Sequence, residues 1–283
     1  MMSDCIYRMP TYFGTSPGPR WKRDDKRFDN DKRRFTEIGV SFLTRAEQLA
    51  PMLPPGFCLD GEPIVTVKCT YMTEIAWLAG RGYNVLGVTI PVRYQGGNDV
   101  ARGPLVLVLW ENLTDPILTG REEVGFPKIY ADIPDAVVYD DSAHVTASWM
   151  GFRFAEVSLM EMQEVTEPSW PETGNTVEAK SKSELNGMLC YKYVPKTGNR
   201  GTAHIEHATI SYLPSTDHMT LLESFVGTGQ VRFNKARWED LPTQHHIVDA
   251  FASLDVLEYR DAQMLRYKSN GGLVDVHDMH VLT

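Results

Sequence analysis

The chain has 283 residues, 42% of them apolar and 10% aromatic, and a formal net charge of −9. That balance excludes a disordered or low-complexity protein, and the length allows a sizeable core in one or two domains. An acidic surface of this size repels phosphates, which argues against a nucleic-acid partner.

Residues 1–34 are rich in Pro, Gly and charge, with no hydrophobic period, and read as an N-terminal arm that wraps the surface or contacts a second copy. Between Arg20 and Arg34 stand eight basic and four acidic residues, so this stretch is +4 and the remainder −13. Residues 35–283 read as one domain. Phe35–Phe42 has strand character. A helix is expected after it, because Thr44 and Glu47 have the spacing of a capping box, and Pro51, Pro54 and Pro55 end it. From there strand signals dominate. Ile64–Tyr71 is β-branched and partly alternating, and Val85–Tyr94 and Pro104–Trp110 read the same way. The run LVLVLW (105–110) is apolar at every position, as a strand covered on both faces would be. Asn112–Pro116 is a turn, and the stretch GREEVGFPK follows it directly.

Strands are then expected at Val137–Tyr139, at His144–Trp149 and, through Gly151, at Phe152–Met162. Thr166–Ser183 is a polar loop. A strand pair should straddle the turn-rich Pro195–Asn199. Thr243–Phe251 has helical character, and Val256–Tyr267 returns to strand. Many strands and few helices predict an α+β fold, predominantly antiparallel, closed into a curved barrel or cone with a few peripheral helices.

GREEVGFPK, Gly120–Lys128, is the most informative stretch. Its lysine follows Pro127 and is flanked by Phe126, Ile129 and Tyr130. Apolar surroundings disfavour an ammonium and leave a nucleophilic amine, which can attack a ketone to give an imine. A lysine in such company can equally snorkel, its stem on apolar surface and its charge in water. The segment resembles the active-site stretch of the acetoacetate decarboxylase-like superfamily, in which Gly-Arg-Glu precedes aromatic-Pro-Lys at this spacing. FLTRAEQLAPMLPPGF (42–57), Glu62–Val65, Gly82–Val92 and Asp240–Pro242 are similar to further family segments, so the resemblance spans roughly Phe35 to Tyr267.

The resemblance implies the barrel fold, a mostly apolar interior, a homo-oligomer, and Lys128 as the imine-forming lysine, with no cofactor. It also implies departures from the namesake enzyme. The second lysine that follows the imine lysine there is Ile129 here. Two functional glutamates correspond to Lys68 and Val85, and an arginine to Phe35, one place from Arg34. Family members without those carboxylates use the lysine for aldol or dehydration chemistry on pyruvate-like keto acids, which requires a further acid–base group.

Glu122, Glu123, Tyr71, Tyr83 and Tyr259 are the candidates for that group. Glu122 is the first choice as polar partner of Lys128, with a structural role on backbone donors or Arg121 as the alternative. Tyr259 is the second catalytic candidate, against an ordinary half-buried tyrosine. Arg121, Lys68, Tyr83 and Phe126 are candidates for the substrate-binding surface. Arg121 would bind a carboxylate or form a structural ion pair, and Lys68 would supply a cationic neighbour to Lys128. The expected function is a cofactor-independent Schiff-base lyase acting on a small-molecule keto acid. The alternatives are a true β-keto acid decarboxylase and a non-catalytic barrel that binds an apolar carbonyl ligand.

Other signals point to no further chemistry. His204 and His207 lie three apart on an expected strand and face opposite sides, and no metal is expected. Dinucleotide, phosphate-loop and nucleophile-elbow motifs are absent. Cys5, Cys58, Cys69 and Cys190 show neither zinc spacing nor a disulfide framework. No apolar run approaches the ~18 residues of a membrane span, and the N-terminal stretch lacks a signal-peptide core. A cytoplasmic protein with no membrane partner is expected.

Overall fold

The structure is a computed structural model that describes residues 8–13, 32–170, 184–199, 201–211, 216–270 and 279–283. The strands are β1 (Arg34–Leu43), β2 (Phe57–Leu59), β3 (Ile64–Thr73), β4 (Tyr83–Gln95), β5 (Val100–Glu111), β6 (Lys128–Tyr130), β7 (Val137–Tyr139) and β8 (Ser142–Trp149). They continue with β9 (Phe152–Glu164), β10 (Leu185–Asn186), β11 (Met188–Pro195), β12 (Ala203–Ser211), β13 (Met219–Phe233), β14 (Glu258–Ser269) and β15 (Met279–Val281). Among the described residues three short α-helices, α1 (Ala46–Leu49), α2 (Thr114–Thr119) and α3 (His245–Ala252), sit between the strands, and α2 runs into a π turn, Gly120–Val124.

All strands join one mixed sheet, ordered β15-β12-β11-β5-β4-β3-β1-β14-β13-β9-β8-β7. The main pairings are antiparallel, whereas β6, β10 and β11 each meet β5 in parallel. The closed barrel expected from the sequence is not found as a ring of strand pairs, because this order has two ends. Asp132, just past β6, forms a single bridge to Ser148 of β8, with N···O distances of 2.8 and 2.9 Å. No helix among the described residues is long and apolar enough to cross a membrane.

The main core lies on one face, where Ile38, Val67, Leu86, Val88 and Trp110 are fully or almost fully buried. Trp110 meets Phe154 at 5.0 Å and Phe251 of α3 at 6.1 Å between ring centroids. Its indole N–H donates to Gln244 Oε1 at 2.8 Å, and Gln244 donates to the Tyr130 carbonyl at 3.0 Å, which ties α3 to β6. A smaller cluster of Val106, Val124, Phe126 and Cys190 covers the opposite face of β5, beneath the π turn. The run LVLVLW is thus apolar throughout because both its faces are covered. A bulge helps. The register with β4 shifts between Val106 and Val108, which leaves Leu107 unopposed. That extra residue resets the alternation, as bulges do, so Val108 and Trp110 point into the main core while Leu109 and Glu111 face the site.

Two local expectations fail. The Thr44–Glu47 capping box does not form: α1 begins at Ala46, Arg45 takes the N-cap position without a side-chain cap, and the Thr44 hydroxyl donates to Gln48 Oε1 at 3.2 Å. Thr44 is held instead at the end of β1, its N–H bonded to the Pro63 carbonyl at 3.0 Å. The segment read as a turn at 112–116 already contains the start of α2. The longest strand, β13, escapes a reading by pattern. Its side chains are mostly half-buried or exposed, and Gly227 and Gly229 break the alternation. Gly229 is needed for close approach, since a Cβ there would stand 2.7 Å from Val40.

Candidate active site

The last carbonyls of α2 tighten into the π turn, where the N–H groups of Gly125 and Phe126 both donate to the Gly120 carbonyl at 2.8 and 3.0 Å. Gly125 turns the chain back with φ +94°, a conformation glycine tolerates. Pro127 ends the turn, and its carbonyl accepts from Leu109 N–H at 3.1 Å, which sets Lys128 beside Leu109 at the start of β6. Arg121 Nη1 donates to the Lys128 carbonyl at 2.8 Å and fixes the lysine's backbone from the other side. This bond ties the turn that carries Arg121 to the start of β6.

Lys128 is 8% exposed. Its ammonium lies 2.8 Å from Glu111 Oε1, donates to the Pro116 carbonyl at 3.2 Å, and stands 5.4 Å from the centre of the Phe126 ring. Glu111 is 1% exposed, and its Oε2 has no hydrogen-bond partner among the described residues. Burial pushes the Glu111 carboxyl above its ordinary range, and the Lys128 charge opposes that shift. Burial also pushes the Cys190 thiol far up, so it stands as a neutral wall near Lys128.

The lysine stem crosses directly over Gly120, where a Cβ would stand 2.5 Å from Lys128 Cδ and 2.6 Å from Cε. We therefore expect Gly120→Ala to displace the amine and slow imine formation by about 10²-fold, the scale of a misplacement of ~1 Å. Borohydride trapping rates, with thermal melts as a folding check, measure this. A rate within twofold of the parent would refute it.

The polar partner of Lys128 is Glu111, not Glu122. The turn presents the carbonyls of Glu122 and Glu123 inward to Lys192 Nζ, at 2.7 and 3.4 Å, and leaves the Glu122 side chain exposed. Lys192 itself is buried, and desolvation lowers its pKa against the pull of Glu122. Arg8 pairs with Glu123. Tyr259 is not at this site either. Its hydroxyl is engaged with Val231 of β13, accepting from N–H at 3.1 Å and donating to the carbonyl at 3.3 Å. Four strands (β1, β3, β4 and β5) separate β14 from β6.

Phe126 is buried, with its ring centre 5.4 Å from the Lys128 ammonium. Lys68 and Tyr83 lie on the same sheet face as Lys128, since directly paired residues project to one side: Lys68 faces Gly87, Gly87 faces Leu109, and Leu109 neighbours Lys128. Lys68 is three strands from Lys128, however, and its ammonium pairs with Glu37 at 3.0 Å, so it is not the cationic neighbour. Tyr83 packs against Trp77 at 6.4 Å. Tyr71 points into the main core beside Cys69, whose thiol is pushed up to about 12 by burial.

Glu111 is the residue the sequence reading passed over. Its signal was an acid closing an apolar strand in phase with Leu109, where only a paired cation makes burial tolerable. No group of three or more metal-ligating side chains occurs among the described residues.

These features define a mixed β-sheet protein built around a buried lysine–carboxylate pair held under a glycine-linked turn. The chain matches the Acetoacetate decarboxylase (ADC) family over residues 8–276 and belongs to that family. No curated protein matches it in sequence. Among solved structures it is similar to acetoacetate decarboxylase from Legionella pneumophila, with TM-score 0.63 and 18% identity over 100% of this chain and 98% of that one. It is also similar to the enduracididine biosynthesis enzyme MppR complexed with pyruvate, with TM-score 0.62 and 13% identity over 89% and 90% of the two chains. An acetoacetate decarboxylase-like enzyme from Sphingomonas wittichii aligns with TM-score 0.54 and 15% identity over 86% and 92%. At such identities the likeness establishes the fold.

Proposed function

We propose that this protein is a cofactor-independent Schiff-base lyase that acts on a keto acid through Lys128, by aldol or dehydration chemistry. The observation that carries this reading is the 2.8 Å contact between Lys128 Nζ and Glu111 in a buried setting. Glu111 accepts one ammonium proton, and the freed amine adds to the substrate carbonyl carbon. The same carboxyl returns that proton to the carbinolamine oxygen. The oxygen leaves as water with a second nitrogen-derived proton, and a protonated imine remains. That iminium is the electron sink. Removal of a proton from the neighbouring carbon then gives an enamine, which needs a base close by.

The unpartnered Oε2 of Glu111 supports assigning it that second task. A decarboxylase would need no such base for carbon–carbon cleavage, so the carboxylate favours the aldol branch. A binding barrel would need no proton carrier at all. Family membership and the pyruvate bound in the MppR structure support a keto acid as substrate. Where the resemblance to the decarboxylases leaves Val85 without a carboxylate, Glu111 stands directly opposite Val85 on the next strand.

Incubation with pyruvate and, separately, acetoacetate, followed by borohydride and peptide mapping, tests the proposal. The expected result is one reduced adduct on Lys128. Adducts spread over surface lysines, or none with either acid, would reject it.

A further inference from the structure

This inference rests on the lyase reading and concerns how its reactive amine is held. Among the described residues, the hydrogen bonds of the buried Lys192 ammonium go to main chain only, to the carbonyls of Glu122 at 2.7 Å and Glu123 at 3.4 Å. The sequence explains why those carbonyls need an outside donor. Position 127 is five residues after Glu122 and four after Glu123, the places from which π and α turns draw their donors, and it is a proline without an N–H. The neighbouring N–H groups are committed, those of Gly125 and Phe126 to the Gly120 carbonyl and that of Lys128 to the Phe126 carbonyl at 2.8 Å. A carbonyl sealed from water without a donor is costly, and at the C-terminal end of a helical run a cation is favoured. Lys192 answers both needs.

Packing links this bond to the amine. Gly125 closes the turn over the Lys192 stem, where a Cβ would stand 2.9 Å from Lys192 Cβ and 3.1 Å from Cγ. Gly120 opens the turn over the Lys128 stem in the same way. The turn is therefore clasped between two lysine stems, one at each glycine. Val124 and Phe126 pack with Cys190, which lies two residues before Lys192 on the same face of β11 and near enough to feel the Lys128 charge. His207, directly opposite Lys192 on β12, is kept below its ordinary pKa by burial and by the Lys192 charge, so it adds no second cation beside the carbonyls. A shift of the turn carries with it Gly120 and α2, whose Pro116 carbonyl accepts from Lys128 at 3.2 Å. We infer that Lys192 is a positioning residue for imine formation: through the turn carbonyls it sets where the Lys128 amine stands, without touching substrate.

Borohydride trapping over a range of pyruvate or acetoacetate concentrations gives a maximal rate and a half-saturating concentration for the adduct on Lys128. Lys192→Met keeps the stem and removes the donor. Its maximal rate should fall by about 10²-fold, the scale of a misplacement of ~1 Å. Its half-saturating concentration should stay close to the parent's, because no contact with bound substrate is lost. Lys192→Arg, which keeps the charge and the donors, should recover most of the rate. A Met variant as fast as the parent, a loss carried by the half-saturating concentration, or an Arg variant that regains the parent's melting temperature but not its rate overturns the assignment and leaves the lyase reading standing. If Lys192→Met does not fold, Lys192→Gln, which keeps an N–H donor on a shorter stem, takes its place under the same criteria. No Lys128 adduct with either acid in the parent protein brings down the lyase reading, and this inference with it.

Discussion

Lys128→Met should abolish the trapped adduct and reduce turnover of any keto acid to the background rate. It should also destabilise the fold near neutral pH by about 3–5 kcal/mol, because Glu111 is left as a buried carboxylate without its partner. The destabilisation should shrink in acid, where the lone carboxyl takes up a proton and its burial no longer strands a charge. A second substitution separates chemistry from stability. Lys128→Met combined with Glu111→Leu removes both charges and fills the space with apolar atoms. Buried ion pairs replaced in this way are often neutral or better for stability, so the double variant should regain most of the lost melting temperature and none of the activity. A double variant as unstable as the single one would mean that the pair serves the fold. Adduct formation by either variant would mean that another lysine carries the reaction.

Glu111→Gln should leave the lysine buried and hydrogen-bonded but slow imine formation and turnover by about 10²–10⁴-fold, the usual contribution of a positioned acid–base group. Its pH dependence is diagnostic. Burial raises the Glu111 carboxyl, so the base is lost to protonation at a pH above the ordinary carboxylate value of about 4.3. The wild-type rate should fall as pH drops through that raised value, and the Gln variant should lack this limb. The linked stability effect has the opposite sense. The native state keeps the Glu111 proton to higher pH than the unfolded chain does. Stability therefore declines as pH rises from the ordinary carboxylate range to the raised value, and Glu111→Gln should remove that slope. An acid limb that survives the substitution would transfer the base role to another group.

Taking two charges out of water is costly, and the same span of sheet could be filled by apolar side chains at no loss of stability. The main core already supplies the packing around Trp110 and Phe154. The region around Lys128 is instead arranged for access of a side chain. Gly120 leaves room for its stem, Arg121 and the Pro127 carbonyl fix its backbone, and Lys192 ties down the carbonyls of the turn that carries them.

The sequence by itself determined what depends on near neighbours along the chain. The strands β1, β3, β4, β8 and β9 were legible within a few residues at their ends, because alternation and β-branching are local properties. LVLVLW announced a strand covered on both faces, and GREEVGFPK singled out Lys128 through its resemblance to a family segment. Tertiary structure decided everything that depends on register. Glu122 lies only six residues before the lysine in the chain, yet the π turn leaves its side chain exposed. Glu111 lies seventeen positions away and meets the ammonium at 2.8 Å, because parallel pairing sets β6 beside β5 and the Leu107 bulge sets the phase of Glu111. Tyr259 and Lys68 are only candidates in one dimension, and the strands beside them engage both, through Val231 and Glu37. Alternation tells which residues share a face of one strand. Only the pairing of strands, which joins residues far apart in the chain, tells which faces meet.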